Sequence, residues 1–390
     1  MTSTLPAEAF TLVQPRYGHA SLADVLPSAL AVLGVPGAVD VLGLTEQLAG
    51  VRRIAVLLVD GLGWYQLPLA APYAPTLAEL AADARQLTAG FPSTTPTSLV
   101  SLGAGAPPGA HGVLGFRVNV PGTEHVLTHI AWRDEPDPLR WQPLPTQLER
   151  AAAAGVTVTA VTRPEFEGSG LTLSAYRGGV FRGATGVEEL AREMLAALTA
   201  GSGPTLVSGY YPDLDREGHL AGVGSLSWRA AAAEIDQLLV RLLDGLPPDA
   251  ALLVTADHGQ LNIPTEHRWD VDEDPRLRNG VRLITGEPRV RYLHVVPGAA
   301  EDVIAVWRGV LGEAAWVVGR DEAIAAGWFG PVPEEHLERI GDVVVACHGT
   351  HAVVASRSDH PKESSLVAYH GSYTAAEMMI PLIVRRGAGS

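Results

Sequence analysis

The run Ile54-Ala55-Val56-Leu57-Leu58-Val59 is continuously apolar and rich in β-branched residues, a pattern that suits a strand buried on both faces of a parallel sheet. Asp60-Gly61 closes it at the carboxyl end, where open α/β sheets place their ligands. Comparable runs recur at Val156 to Thr162, Thr205 to Tyr211 and Ala250 to Thr255, and a core-like strand returns at Met379 to Val384. Between them, Ala74 to Ala84, Pro145 to Ala154, Val187 to Thr199 and the amphipathic stretch Trp228 to Leu243 have helical spacing. Pro92 to Gly105 opens with Ser and Thr residues suited to a helix N-terminus, which puts Thr94 and Thr95 at a positive helix end. This alternation predicts an α/β fold with a doubly wound, mostly parallel sheet flanked by helices. From about 276 to 342 the pattern changes to short strands (Val290 to Val296) and one helix (Ala300 to Leu311), read as a small inserted α+β subdomain. Residues 1–50 are expected to pack on the core as an N-terminal extension, and 116–203 to form a cap-like segment of the main domain, 51–390.

Composition narrows the function. A chain of 390 residues, 47% hydrophobic and 18% charged, is not disordered. With Lys+Arg 28 against Asp+Glu 43 and a net charge of -15, it has no general attraction to nucleic-acid duplexes or anionic membranes. An anionic substrate therefore needs a local cation, and a metal is the obvious one. The lone Cys347 excludes an internal disulfide and a thiolate-built zinc site. The N-terminus MTSTLPAEAF lacks a basic region, and the apolar stretch Leu30 to Val35 is too short for a signal core or a membrane span, so a soluble cytoplasmic protein is expected.

Four separated patches combine carboxylates, histidines and hydroxyls at apparent strand ends: Asp60 in VLLVDGLG, Thr95 in FPSTTPTS, Asp215 and His219 in YYPDLDREGH, and Asp257 and His258 in TADHG. Asp215 and His219 can face one ion if Gly218 lets the loop turn tightly. Asp257 and His258 can converge only if they lie on a turn, because a strand would send them to opposite faces. Together these donors fill two neighbouring divalent ions with oxygen and nitrogen ligands, the arrangement used for in-line phosphoryl transfer. Zinc suits the set, and manganese or iron would also be accommodated.

In this order the patches resemble the alkaline phosphatase superfamily, and within it the nucleotide pyrophosphatase/phosphodiesterase branch. Pro92-Ser93-Thr94-Thr95 stands sixteen residues before His111-Gly112, the spacing of the family's nucleophile motif, so the resemblance points to Thr95. It assigns Asp60, Thr95, Asp257 and His258 to one zinc, and Asp215, His219 and a C-terminal histidine to the other. HGSYTAAEMMIPLIV looks like the family segment leading into the last core strand and favours His370, with His351 and His360 as alternatives. The resemblance implies a zinc-activated threonine and a phosphothreonine intermediate in hydrolysis of phosphodiester or pyrophosphate bonds of nucleotide-type substrates. Relatives often place an asparagine where this chain has Phe116, and Asn119 is near enough in sequence to substitute. Tyr210 matches an aromatic position of nucleotide-cleaving relatives, and Phe116 could complete that wall.

Phosphomonoesterase activity is the alternative and would draw on Arg163, since the chain's one lysine, Lys362, is remote in sequence. A non-catalytic, metal-stabilised binding protein would be expected to have lost a ligand or the nucleophile. Cys347 lacks the setting of a sulfatase nucleophile, a phosphoglycerate mutase would use a serine in a longer chain, and Gly103-Ala104-Gly105 follows a helix-like segment rather than the strand a dinucleotide site needs.

Overall fold

The structure, a computed structural model, describes residues 5–123 and 125–388. In chain order its principal strands are β1 (Arg53–Val59), β2 (Arg85–Thr88), β3 (Thr157–Thr162), β4 (Val180–Gly183), β5 (Thr205–Tyr211), β6 (Ala250–Thr255), β7 (Val281–Glu287), β8 (Val290–Val295), β9 (Ala315–Gly319), β10 (Val343–Cys347) and β11 (Met379–Arg386). Seven of them form the central sheet in the order β2-β11-β6-β1-β5-β3-β4. Strands β4, β3, β5, β1 and β6 are parallel neighbours, whereas β11 runs antiparallel to both β6 and β2. The expected doubly wound, mostly parallel sheet is therefore present. β1 lies centrally with Ile54 to Val59 all buried, as its unbroken apolar run requires.

The helices used below are α1 (Thr95–Ala104), α2 (Gly186–Thr199), α3 (Asp213–Ala221), α4 (Leu226–Asp244) and α5 (Ala300–Leu311). α4 buries Trp228, Ala232, Ile235, Leu239 and Leu242, a stripe at helical spacing, and packs against α2 and α3. Leu22, Val25, Leu26 and Leu30 belong to the same core, so this part of the N-terminal segment packs into the main hydrophobic cluster.

Two boundaries differ from the sequence reading. The segment 116–203 is not a cap as a whole: β3 and β4 extend the central sheet, and Val158 to Thr162 are buried because β3 is covered on both faces. Its part outside the sheet includes the short hairpin of Arg117–Asn119 with Val126–Thr128. The inserted unit runs past residue 342, because β10 is an inner strand of its antiparallel sheet β7-β8-β10-β9. That sheet and α5 enclose a separate core containing Leu293, Val303, Trp307, Leu311 and Val345. Among the described residues, no helix is long and apolar enough to cross a membrane.

Candidate metal centre and active site

The carboxyl ends of β1, β5 and β6 deliver the site. Asp60 follows β1 directly, and Gly61 then adopts φ 73° with its N–H donating to Asp257 Oδ1 at 3.0 Å. A Cβ on Gly61 would lie 2.9 Å from Asp215 Cβ, so a side chain there would force the β1 and β5 ends apart. After β6, Asp257 and His258 sit on a turn and converge, with Asp257 Oδ2 3.2 Å from His258 Nε2.

After β5 the chain departs from the sequence reading, since the DLDREGH part of the segment, Asp213 to His219, is helical rather than a tight loop. Asp215 and His219 lie four apart on one face of α3, with Asp215 Oδ2 3.2 Å from His219 Nε2. Gly218 is needed for a different reason than turning: a Cβ there would come within 1.8 Å of Gln260 Oε1. The Gln260 amide donates to Asp215 Oδ1 at 2.8 Å and holds it in place.

His370 is brought in by a short antiparallel pairing of Ala368–Tyr369 with Leu261–Asn262, which carries the C-terminal segment beside the β6 end. Its ring stacks on that of His258 at 3.6 Å. The alternatives lie elsewhere: the His351 ring packs near His267 and Trp269, and His360 lines the rim of the adjoining cavity. Two groups of donors result, Asp60-Asp257-His258 and Asp215-His219-His370, within each of which the ligand atoms lie within 4.8 Å of one another. Thr95, the first residue of α1, adjoins the first group, with Oγ1 3.1 Å from His258 Nε2.

The donor set fits divalent cations. His219 Nδ1 lies 2.7 Å from Ala368 O, His370 Nδ1 2.9 Å from Ser93 O and His258 Nδ1 3.2 Å from Gly259 O. Each backbone carbonyl accepts an N–H, which assigns a proton to Nδ1 and leaves Nε2, the ligand atom of the neutral ring, facing the site. Two such nitrogens, on His219 and His370, then meet at 3.1 Å, and His258 Nε2 faces Asp60 Oδ1 at 3.4 Å. Asp60 Oδ1 and Asp257 Oδ2 are buried without a hydrogen-bond partner. Converging lone pairs and buried anionic oxygens repel one another unless a cation lies among them. Consistently, burial and the neighbouring Asp257 and Asp215 push the Asp60 carboxyl well above the usual range. The His258 imidazole, which burial alone would lower, is raised to about 9, chiefly by Asp257. Tyr210 supports the cluster from β5, its hydroxyl donating to Asp60 Oδ2.

A cavity of about 720 Å³ opens beside the clusters, with Asp60, Thr95, Asp215, His219 and His370 at one end and Phe116 and Tyr210 in its wall. Asn119 is not in it. That residue lies on the Arg117–Asn119 strand, donates to Glu338 O at 3.3 Å and lines a separate polar cleft with Arg282 and His294, so it cannot stand in for the missing asparagine. Arg163 also stays outside the cavity lining, tied to Asp213 and, at 3.7 Å, to Glu165. The Lys362 side chain lies outside the described residues. Glu287 and Gln260 escaped the sequence reading. Glu287 belongs to no local motif and reaches the site through pairing of distant segments, whereas Gln260 stands two residues after His258, just beyond the TADHG segment.

A parallel sheet with this paired cluster at its carboxyl edge defines a hydrolase of the alkaline phosphatase superfamily. The chain belongs to the type I phosphodiesterase / nucleotide pyrophosphatase family, whose description matches residues 54–373. No curated protein matches it. Among solved structures, an inactive murine ectonucleotide pyrophosphatase / phosphodiesterase 5 in complex with AMP is similar, with TM-score 0.67, 17% identity and coverage of 85% of this chain and 87% of that one. The human counterpart gives TM-score 0.66 at 16% identity, with the same coverage of both chains. Phosphonoacetate hydrolase from Sinorhizobium meliloti 1021, bound to phosphonoformate, gives TM-score 0.65 at 20% identity over 87% of this chain and 91% of that one. At these identities the likeness to solved structures concerns the fold.

Proposed function

We propose that the chain is a metal-dependent phosphodiesterase in which Thr95 is the nucleophile and Asp60, Asp257 and His258 on one side and Asp215, His219 and His370 on the other hold two divalent cations, zinc by donor type. The observation that carries this reading is the convergence of three Nδ1-anchored histidines on the Thr95 hydroxyl, with Thr95, His219 and His370 at one end of a single cavity and His258 buried behind them. Oxygen and imidazole donors without thiolate suit zinc. Bound there, such ions lower the pKa of a hydroxyl and offset charge on phosphoryl oxygens.

Thr95 Oγ1 attacks phosphorus in line, a P–O bond to the departing alcohol or phosphate breaks, and the phosphothreonine formed is hydrolysed by water to regenerate the hydroxyl. The N-terminus of α1, with Thr95 its first residue, favours the negative charge that develops there. The murine relative's inactive form is a threonine-to-alanine variant, and its AMP complex supports nucleotide-type substrates. Diester or pyrophosphate cleavage is favoured over monoester cleavage because Arg163 is committed to carboxylates outside the cavity, leaving it unable to meet a phosphate dianion.

The test is elemental analysis of the purified protein alongside turnover of bis-p-nitrophenyl phosphate and p-nitrophenyl phosphate. Two metals per chain with a strong diester preference is the expected result. A monoester preference would overturn the substrate reading, and absence of both metal and turnover in metal-supplemented buffer would overturn the enzyme reading.

A further inference from the structure

Away from the metal donors, the cavity is walled by Leu99, Phe116, Ile130, Phe166, Leu171 and Leu220. Ile130 and Leu220 are 57% and 60% exposed and carry the apolar lining out to the mouth. Its volume of about 720 Å³ is that of a small-molecule site and exceeds what a phosphoryl group needs. Among the described lining residues, the only guanidinium or ammonium group is Arg216, which is already paired with Asp213 at 3.1 Å and Glu217 at 2.9 Å. Acidic groups are present instead. Glu363 lines the cavity with its carboxylate 3.7 Å from Arg117, and so does Glu287, buried, with Oε1 lacking a hydrogen-bond partner and its carboxyl pushed up to about 8 by burial.

We infer that this chamber selects phosphodiesters whose second substituent is neutral and apolar, and turns away substituents that bring a further carboxylate or phosphate. The inference rests on the hydrolase reading above and narrows it: diesters with alkyl or aryl arms are preferred to pyrophosphates and to carboxylated substrates. The physical reason is twofold. Burying methylenes against the leucine, isoleucine and phenylalanine wall removes apolar surface from water. A second anionic group would be desolvated against that wall with no guanidinium or ammonium group of the described lining free to meet it. Three site carboxylates and one phosphodiester anion balance the charge of two divalent ions, so no surplus positive charge remains for another anion.

Two measurements test this on the metal-loaded protein. In the first, kcat/KM is compared for p-nitrophenyl phosphodiesters whose other arm is methyl, hexyl or 2-carboxyethyl. The hexyl ester should exceed each of the others by roughly tenfold or more. In the second, calorimetry compares methyl-, hexyl- and 2-carboxyethylphosphonate. The hexyl compound should bind most tightly, with the most negative heat-capacity change, the signature of apolar burial. Ile130→Arg, at a half-exposed position, should lower the hexyl-to-carboxyethyl ratio by about fivefold or more. A carboxyethyl arm accepted as well as hexyl in the first two measurements would overturn the inference while leaving the hydrolase reading intact. No hydrolysis of any ester would overturn the hydrolase reading, and the calorimetry would still decide the character of the chamber.

Discussion

Thr95 illustrates how little a single side chain can do without its surroundings. Its hydroxyl sits on the first residue of α1, 3.1 Å from His258 Nε2, and Ser98 on the next turn donates to Asp257 O at 2.9 Å, so the helix end and the metal-site turn are tied together. Thr95→Ala removes the hydroxyl proposed as nucleophile and leaves these ties and the six carboxylate and imidazole donors in place. It should lower turnover of a phosphodiester by roughly a thousandfold or more, with metal content by elemental analysis unchanged. A variant that retains activity would sink the nucleophile assignment. His370 is the comparable case among the proposed ligands. Several histidines crowd its segment, and pairing of Ala368–Tyr369 with Leu261–Asn262 is what seats His370, the one that the sequence favoured, rather than His351 or His360 beside the site.

The elements behave less simply than their local preferences. Alanine is about 1 kcal/mol better than glycine inside a helix, so Gly218→Ala should favour α3 in isolation. In the folded chain the added Cβ would strike Gln260 Oε1, and the amide that fixes Asp215 would be displaced. The expected outcome is a protein with near-normal melting temperature whose kcat/KM falls roughly tenfold or more, the usual scale for a lost metal-site support. An unchanged kcat/KM would show that Gln260 is dispensable. The inserted unit is tied to the core by a pair of the opposite kind. Arg289 donates from Nε to Glu377 Oε1 at 2.9 Å and from a terminal nitrogen to Oε2 at 2.7 Å, both side chains fully buried. Glu377 in turn accepts the Ser372 N–H at 3.0 Å, two residues beyond His370. Arg289→Met would leave a buried carboxylate unpaired and should cost about 3–5 kcal/mol in urea denaturation. Wild-type stability in that variant would mean that Glu377 finds other compensation.

For the molecule as a whole, buried neutral histidines set an acid limit. His129 donates from Nδ1 to Gly115 O at 2.7 Å and accepts at Nε2 from the Trp141 indole N–H at 3.1 Å, and burial lowers its pKa from the ordinary 6.5 to about 4. Burial likewise holds His111 well below its usual value. Below 6.5 the unfolded chain binds protons that the folded chain refuses, so stability is complete above that pH and falls as the pH drops toward about 4. At about pH 5 the loss from His129 alone should be roughly 2 kcal/mol. His129→Gln should remove that share of the pH dependence, read as the change in unfolding free energy between about pH 7 and pH 5. An identical slope in wild type and variant would refute it.

At this scale the division between sequence and fold is plain. Apolar runs bounded by polar turns determined β1, β5 and β6, because a strand covered on both faces must be apolar throughout, and Asp60, Asp257 and His258 follow those runs directly in the chain. The side-chain types in their order also determined the class of chemistry, since carboxylate, imidazole and hydroxyl donors carry it wherever they are assembled. Tertiary structure alone decided what depends on pairing between distant segments. That includes the assignment of 157–162 and 180–183 to the central sheet, the removal of Asn119 and Arg163 from the cavity, the seating of His370 beside His258, and the acidic, apolar chamber to which Glu287 contributes. Those contacts join residues tens to hundreds of positions apart, and no local period or propensity encodes which of several similar side chains will arrive.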